Sequence, residues 1–190
     1  MNPSAERIVF AAAELFRRQG FAATGLKAIA TEAGLPIGSI YHHFPGGKTE
    51  LGETVIRITG AGFQELVETI IDAGTNLVSG IDDAFAGAAA TVEASDYADA
   101  CPIATLALEI ASTNEPMRQA SDRAFTGWID ALTGRIEAAG CDRKTARATA
   151  ISVLSLLEGA FLFSRASRSV EPLHAAGTSA VALVRAAISD

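Results

Sequence analysis

Apolar residues recur at three- and four-residue steps along almost the whole chain, the spacing of one face of a helix, and β-branched runs are short. Ile8, Ala12, Leu15 and Phe16 make one such face between Ser4 and about Gln19, with Gly20 placed to stop the helix. A short second helix is expected from Lys27 to Ala33, with Ile29 and Ala30 inward and Gly34 ending it. Pro36 suits the first turn of a third helix, where its missing N–H costs nothing, and that helix runs to His43 before the Phe44-Pro45-Gly46-Gly47 turn. A long fourth helix starts near Lys48 and Thr49. Further helices are expected near 77–94, 102–112, 116–139, 143–168 and 173–188. The breaks fall at Gly74, Cys101-Pro102, Asn114-Glu115-Pro116, Gly140 and Glu171-Pro172. The pattern predicts an all-α protein of about nine helices: a three-helix head over residues 1–47, then a long helix leading into an α-helical body over 48–190.

Composition narrows the class. Of the 190 residues 49% are hydrophobic and 19% charged, enough to build a core and too apolar for extended disorder. The longest apolar stretch, Ile151 to Phe163, is interrupted by Ser152, Ser155, Glu158 and Gly159, short of the ~20 apolar residues of a membrane span. Glu6 and Arg7 precede the first apolar run, unlike a signal peptide. Cys101 and Cys141 are too few for a disulfide framework and lack metal-ligand spacing. A cytoplasmic protein with no membrane partner, no metal and no cofactor is expected. The net charge of −7 is uneven: residues 1–57 carry +1 and the remainder −8, as in a protein that offers only its head to a polyanion.

The segment from Thr24 to Phe44 carries the most specific chemistry. Two short helices around Gly34 have the layout of a helix-turn-helix, whose second helix enters a DNA major groove. Gly38 and Ser39 are small enough for close approach to bases, Ser39 donates or accepts, and Ile37 suits a thymine methyl. Tyr41, His42 and His43 supply donors at the far end, and Lys48 opens the next helix, where phosphates are gripped. A solvent-exposed helical hairpin is the plainer alternative.

The residues Gly20-Phe21, Thr24, Ile29-Ala30, Ala33-Gly34, Gly38-Ser39-Ile40-Tyr41-His42-His43-Phe44 and Lys48-Thr49-Glu50-Leu51 resemble the N-terminal domain of TetR-family transcriptional regulators, over about residues 6–52. Two positions depart from that pattern. Gly25 stands where a Ser or Thr cap is usual, leaving the second helix capped weakly or by Thr24, and Gly46-Gly47 replaces a polar residue before the lysine. The resemblance implies that Lys27 reaches a phosphate or base, that Ile37, Gly38 and Ser39 face bases, and that Tyr41, His42 and Lys48 contact phosphates. His43 is either a phosphate contact or packing beneath Phe44. In the body, Cys101-Pro102-Ile103-Ala104-Thr105-Leu106-Ala107-Leu108-Glu109, Phe125-Thr126-Gly127-Trp128, Leu156-Leu157-Glu158-Gly159-Ala160 and Ser164-Arg165-Ala166 resemble the LmrA/YxaF-type branch. This implies a ligand-responsive repressor: residues 1–47 bind a double-stranded DNA operator, and 48–190 bind a small-molecule inducer and dimerise.

Candidate ligand contacts are Phe85, Met117, Phe125, Trp128, Leu157 and Phe161, apolar side chains at helical spacing that serve equally well as core. Glu109 and Glu158 each sit within apolar helix and need a partner; an internal arginine (Arg165 or Arg123) or solvent answers this most simply, and a cationic inducer is the alternative. Cys101 reads first as a small buried hydrophobe and second as a ligand-contacting thiol. For a homodimer, residues 143–168 carry two apolar stripes: Ala146, Ala150, Val153, Leu157 and Phe161 on one, Ile151, Leu154 and Leu162 beside it. Leu173, Ala176, Ala180, Leu183 and Val184 continue the theme in the last helix. From these, Ala150, Val153, Leu154, Leu173, Ala176, Ala180, Leu183 and Val184 are the expected dimer contacts in a four-helix interface. No catalytic residue is assigned: there is no Ser/His/Asp order, paired-carboxylate motif or phosphate loop. The rival to a DNA-binding regulator is a helical small-molecule-binding or adaptor protein without specific DNA binding, which has no use for Gly38 to Lys48.

Overall fold

The computed structural model describes residues 1–98 and 101–189. The first helix, α1 (Pro3–Gln19), begins where the Asn2 side chain accepts the Ser4 amide, satisfying a donor that has no partner within the helix. It is followed by α2 (Leu26–Glu32), α3 (Ile37–His43) and α4 (Gly47–Ala73). Then come α5 (Leu77–Ala94), α6 (Pro102–Ile110), α7 (Glu115–Ala138), α8 (Arg143–Ser167) and α9 (Glu171–Ser189). Among the described residues there is no strand. The all-α expectation holds, and each expected helix appears within two residues of its predicted ends.

Two details of the sequence reading change. Pro36 is the N-cap of α3, with ψ 145°, and so lies just outside the helix and not in its first turn. Gly25 caps α2 with no side-chain bond, and Thr24 does not replace it. The buried Thr24 hydroxyl turns back to donate to the Gly20 carbonyl at 2.7 Å, which closes the α1–α2 corner.

The chain forms two compact units, Met1–Gly62 with Pro102–Ala124, and Phe63–Cys101 with Phe125–Asp190. Neither boundary lies at residue 47, because α4 runs unbroken past it and α6 joins the head. In the first unit Ile8, Phe16, Ile29, Ile40, Leu51 and Ile56 are fully buried. Met117 of α7 lies so close to Gly52 of α4 that a Cβ there would meet its Sδ and Cε at 2.7 Å. Glycine is what lets α7 reach the α4 backbone.

In the second unit α9 packs along both α8 and α5. Its Leu173, Ala176, Ala180, Val184 and Ala187 face inward, against residues such as Phe85, Val153 and Phe161 that are also buried. Arg135 of α7 donates to Asp72 at 2.6 Å and to Glu68 at 3.1 Å, both on α4. Length and apolar content alone would let α8 cross a bilayer. Here its inner face, from Ala146 to Ser164, is spent on the core of the second unit.

Gly177 fixes how near α9 comes to α5, since a Cβ there would lie 2.9 Å from the Phe85 Cβ, an atom with little freedom to retreat. Gly177→Ala should therefore cost about 1–3 kcal/mol despite its better helix propensity. A lowered midpoint in chemical denaturation checks this, and an unchanged or raised one would refute the tight contact.

Candidate functional site

The position of α3 is set by its turn. Gly34, at φ +62°, ends α2 with Leu35 N–H on the Ala30 carbonyl and Gly34 N–H on the Thr31 carbonyl, the double bond of a Schellman motif. Arg7 of α1 then donates to the Ala33 carbonyl at 2.6 Å and stands 2.9 Å from where a Gly34 Cβ would be. A guanidinium at the negative end of α2 is favourable for the helix dipole as well as for the unpaired carbonyls. Sequence reading missed Arg7. Its only signal was a cation beside the face made of Ile8, Ala12 and Phe16.

With the turn held, Ile40 and Phe44 are buried and the other face of α3 is turned outward. Ile37 is 44% and Tyr41 53% exposed, unusual for large apolar side chains, and Gly38 and His42 are exposed beside them. Ser39 is half-buried, and Lys27 is exposed at the start of α2. The His43 ring stands edge-on to His42 at 4.9 Å and to Phe44 at 6.5 Å, so it is partly packed. The glycine turn after α3 is tied down, with Gly46 N–H on the Glu50 carboxylate at 2.6 Å and Gly47 N–H on the Phe44 carbonyl.

Lys48 is engaged within the chain. Its ammonium donates to the Ala22 carbonyl at 3.3 Å and lies 4.4 Å from the centre of the Phe21 ring. Burial pushes its pKa down, and the nearby Glu109 charge opposes that shift.

The expected ligand contacts divide between the two units. Glu109 and Met117 belong with the head: the Glu109 carboxylate accepts from the Phe21 and Ala22 amides, both at 2.6 Å, and Met117 lies on Gly52. Glu109 is thus taken up by the polypeptide itself, by backbone amides and not by Arg165, Arg123 or a cavity. The other six lie in the second unit. Phe85 packs on Gly177, while Leu157 and Phe161 are buried on α8. Trp128 stands 5.4 Å from Phe125, edge to face, and 5.0 Å from Phe63, an aromatic cluster that sequence reading had only in part. Glu158 hydrogen-bonds with the Cys101 side chain, and its Oε1 is buried with no partner among the described residues. Arg165 does not reach it and donates instead to the Tyr97 carbonyl. An open cleft of about 410 Å³ lined by Asn76, Val78, Ser79, Asp82, Val181 and Arg185 contains none of the expected ligand residues.

The expected dimer contacts need a similar correction. Ala150, Val153, Leu173, Ala176, Ala180 and Val184 are buried within the chain itself, because α9 spends its main apolar stripe closing the core over α5 and α8. Leu154 is half-buried and Leu183 is exposed. On these two helices the exposed apolar side chains are Ile151 and Leu162 of the neighbouring stripe, Phe163 to one side of it and Leu183 of α9, with Leu162 and Phe163 59% and 64% exposed.

Burial raises the pKa of Glu158, and the Cys101 hydrogen bond opposes this only in part. A carboxyl whose pKa is higher folded than unfolded makes no contribution at low pH. It destabilises increasingly as pH rises from the unfolded to the folded pKa, and fully above both. Glu158→Gln, which stays neutral, should therefore be more stable than wild type at neutral pH, with the gain vanishing as pH falls through the carboxylate range. Thermal unfolding at several pH values checks this; a gain that does not depend on pH would contradict the burial argument.

Comparison with known proteins agrees with this architecture. Residues 8–55 match the family model of bacterial regulatory proteins of the tetR family, and residues 78–179 match that of the LmrA/YxaF-like transcriptional regulator C-terminal domain. The HTH-type transcriptional regulator LmrA of Bacillus subtilis is 29% identical over 170 residues, covering 90% of each chain. YxaF of the same organism is 30% identical over 170 residues, covering 90% of this chain and 89% of its own. The crystal structure of regulatory protein TetR from Rhodobacter sphaeroides superposes with a TM-score of 0.83 at 18% identity, over 96% of this chain and 99% of that one, which is a likeness of fold. The chain belongs to the TetR family of bacterial transcriptional regulators, in its LmrA/YxaF-like branch.

Proposed function

We propose that this regulator is a ligand-responsive repressor that binds a palindromic DNA operator as a homodimer and is released by a small aromatic inducer. The observation that carries the DNA half is the outward face of α3, where Ile37, Gly38, Tyr41 and His42 are exposed on a helix anchored by Ile40 and Phe44. Large apolar groups left in water next to a glycine suit a surface that is covered by a partner, and base edges offer methyl groups and acceptors at that scale. In this reading Ile37, Gly38 and Ser39 meet bases, while Lys27, Tyr41 and His42 meet phosphates. Lys48 serves mainly to hold the α1–α2 corner.

The dimer reading rests on the exposed apolar residues Ile151, Leu162 and Phe163 of α8 and Leu183 of α9, with exposed small residues such as Ala175, Ala182 and Ala186 on α9 that permit close helix approach. Two-fold symmetry then presents two heads to two half-sites. The sensing reading rests on Glu158, whose buried Oε1 has no partner among the described residues, in the unit that also holds the Phe63, Phe125 and Trp128 rings. Such a group favours an aromatic ligand bearing a protonated amine or a hydroxyl donor. An inducer must bind better to the conformation that has lost DNA, and operator must weaken inducer binding by the same factor.

The decisive measurement is a gel-shift assay on the protein's own promoter region. Ser39→Ala should change discrimination between operator variants by about 1–3 kcal/mol, and Lys27→Ala should weaken all sequences alike and lower the salt slope by about 1. Absence of sequence-specific binding by the wild type would favour the adaptor alternative. For assembly, Leu162→Glu should yield a folded monomer in sedimentation that has lost operator affinity, whereas Ala180→Glu should unfold the subunit. A monomeric wild type that binds operator would overturn the dimer.

A further inference from the structure

We infer that Glu109 is a positioning residue for DNA recognition: from the last turn of α6 it holds the α1–α2 corner, and with it Lys48, in the place the recognition helix requires. This rests on the DNA-binding reading. Phe21 and Ala22 present two consecutive amides, and each donates at 2.6 Å to a different oxygen of the Glu109 carboxylate. Two charge-assisted bonds to one carboxylate fix its orientation as well as its distance. Gly20 makes room for it: φ is +83°, and a Cβ at that position would come within 2.8 Å of Oε2. The same corner is held from its other side, where Lys48 donates to the Ala22 carbonyl and covers the Phe21 ring. A second tie joins the same parts, since Asn114 just beyond α6 donates to Thr49 in the first turn of α4 at 3.1 Å.

Glu109 is poorly placed for its own helix. A carboxylate in the last turn meets the negative end of the dipole, and α6 has no basic residue there to offset it. What stabilises it is the head. The corner lies between the end of α1, the helix whose Arg7 closes the turn into α3, and the start of α2 at Leu26. Releasing the carboxylate frees the corner to move α2 relative to α1, and α3 with it. The carboxylate is exposed, so a DNA phosphate competing for the same amides and for Lys48 is the opposite possibility, with an opposite sign.

The test uses the full-length protein and a duplex selected from a random-sequence pool by the wild type, with an unrelated duplex as control. Glu109→Ala should weaken the selected duplex roughly tenfold and leave the unrelated duplex no weaker. Glu109→Gln, which keeps one acceptor oxygen, should fall between the two. In the double variant with Lys48→Ala the two losses should be less than additive, because both residues hold one corner. The Phe21 and Ala22 amide protons should resonate downfield in the wild type and lose that shift in Glu109→Ala, a readout that needs no DNA. Unchanged affinity in Glu109→Ala would overturn the positioning role, and tighter binding would replace it with phosphate competition. If Glu109→Ala does not fold, the Gln variant decides by the same criteria. A wild type that selects no duplex but shows the amide shifts would instead overturn the DNA-binding reading itself.

Discussion

A seven-residue helix closes too few hydrogen bonds to offset the cost of its first turn, so neither α2 nor α3 would persist in water alone. Both exist here because Ile29, Ile40 and Phe44 are buried against α1 and because the turn between them is fully bonded. That turn needs one residue at positive φ, supplied by Gly34, and one cation, supplied by Arg7 from the far side of the sequence. The outward face of α3 follows from it. With Ile40 inward, Gly38 and His42 fall on the opposite side of α3 and Ile37 and Tyr41 on its flanks, so their exposure is compatible with a well-packed helix.

The head is marginal in size, and it is not left to itself. Its compact unit recruits α6 and the beginning of α7, through Met117 over Gly52 and Glu109 on the α1–α2 corner. The first of these is apolar contact made possible by a missing side chain. The second is a carboxylate that gives up favourable placement in its own helix for two amides elsewhere. A helix assigned by sequence to the body is therefore part of the structure that holds the head.

The two glutamates singled out for lying in apolar helix meet opposite fates. Glu109 reaches the surface of its unit and is hydrogen-bonded by backbone donors, while Glu158 is turned inward to a thiol and keeps one oxygen unpaired among the described residues. Nothing in their local sequences separates them. The difference arises because α6 ends beside a corner with free amides, whereas the inner side of α8 faces apolar neighbours. Buried carboxylates are costly, and one that is incompletely paired is the place where a ligand has most to offer.

Helix ends and the pair of short helices around Gly34 were legible in the sequence, because they depend on local quantities. These are the three- and four-residue apolar period, prolines and glycines at the breaks, and the spacing from Gly38 to Lys48. The two apolar stripes of α8 were legible as well. Which of them faces the core was not, because both are apolar and only the placement of α9 across α5 and α8 decides it. Ala150, Val153, Ala180 and Val184 are consequently inside, and Ile151, Leu162 and Leu183 are left outside. In the same way the sequence marks Lys48, Glu109 and Arg7 as charges, but not that each ends on a backbone group far along the chain. Periodicity carries information over a turn or two of helix. The partner of a charged side chain depends on which turn of which other helix lies opposite, and that exists only once the helices have packed.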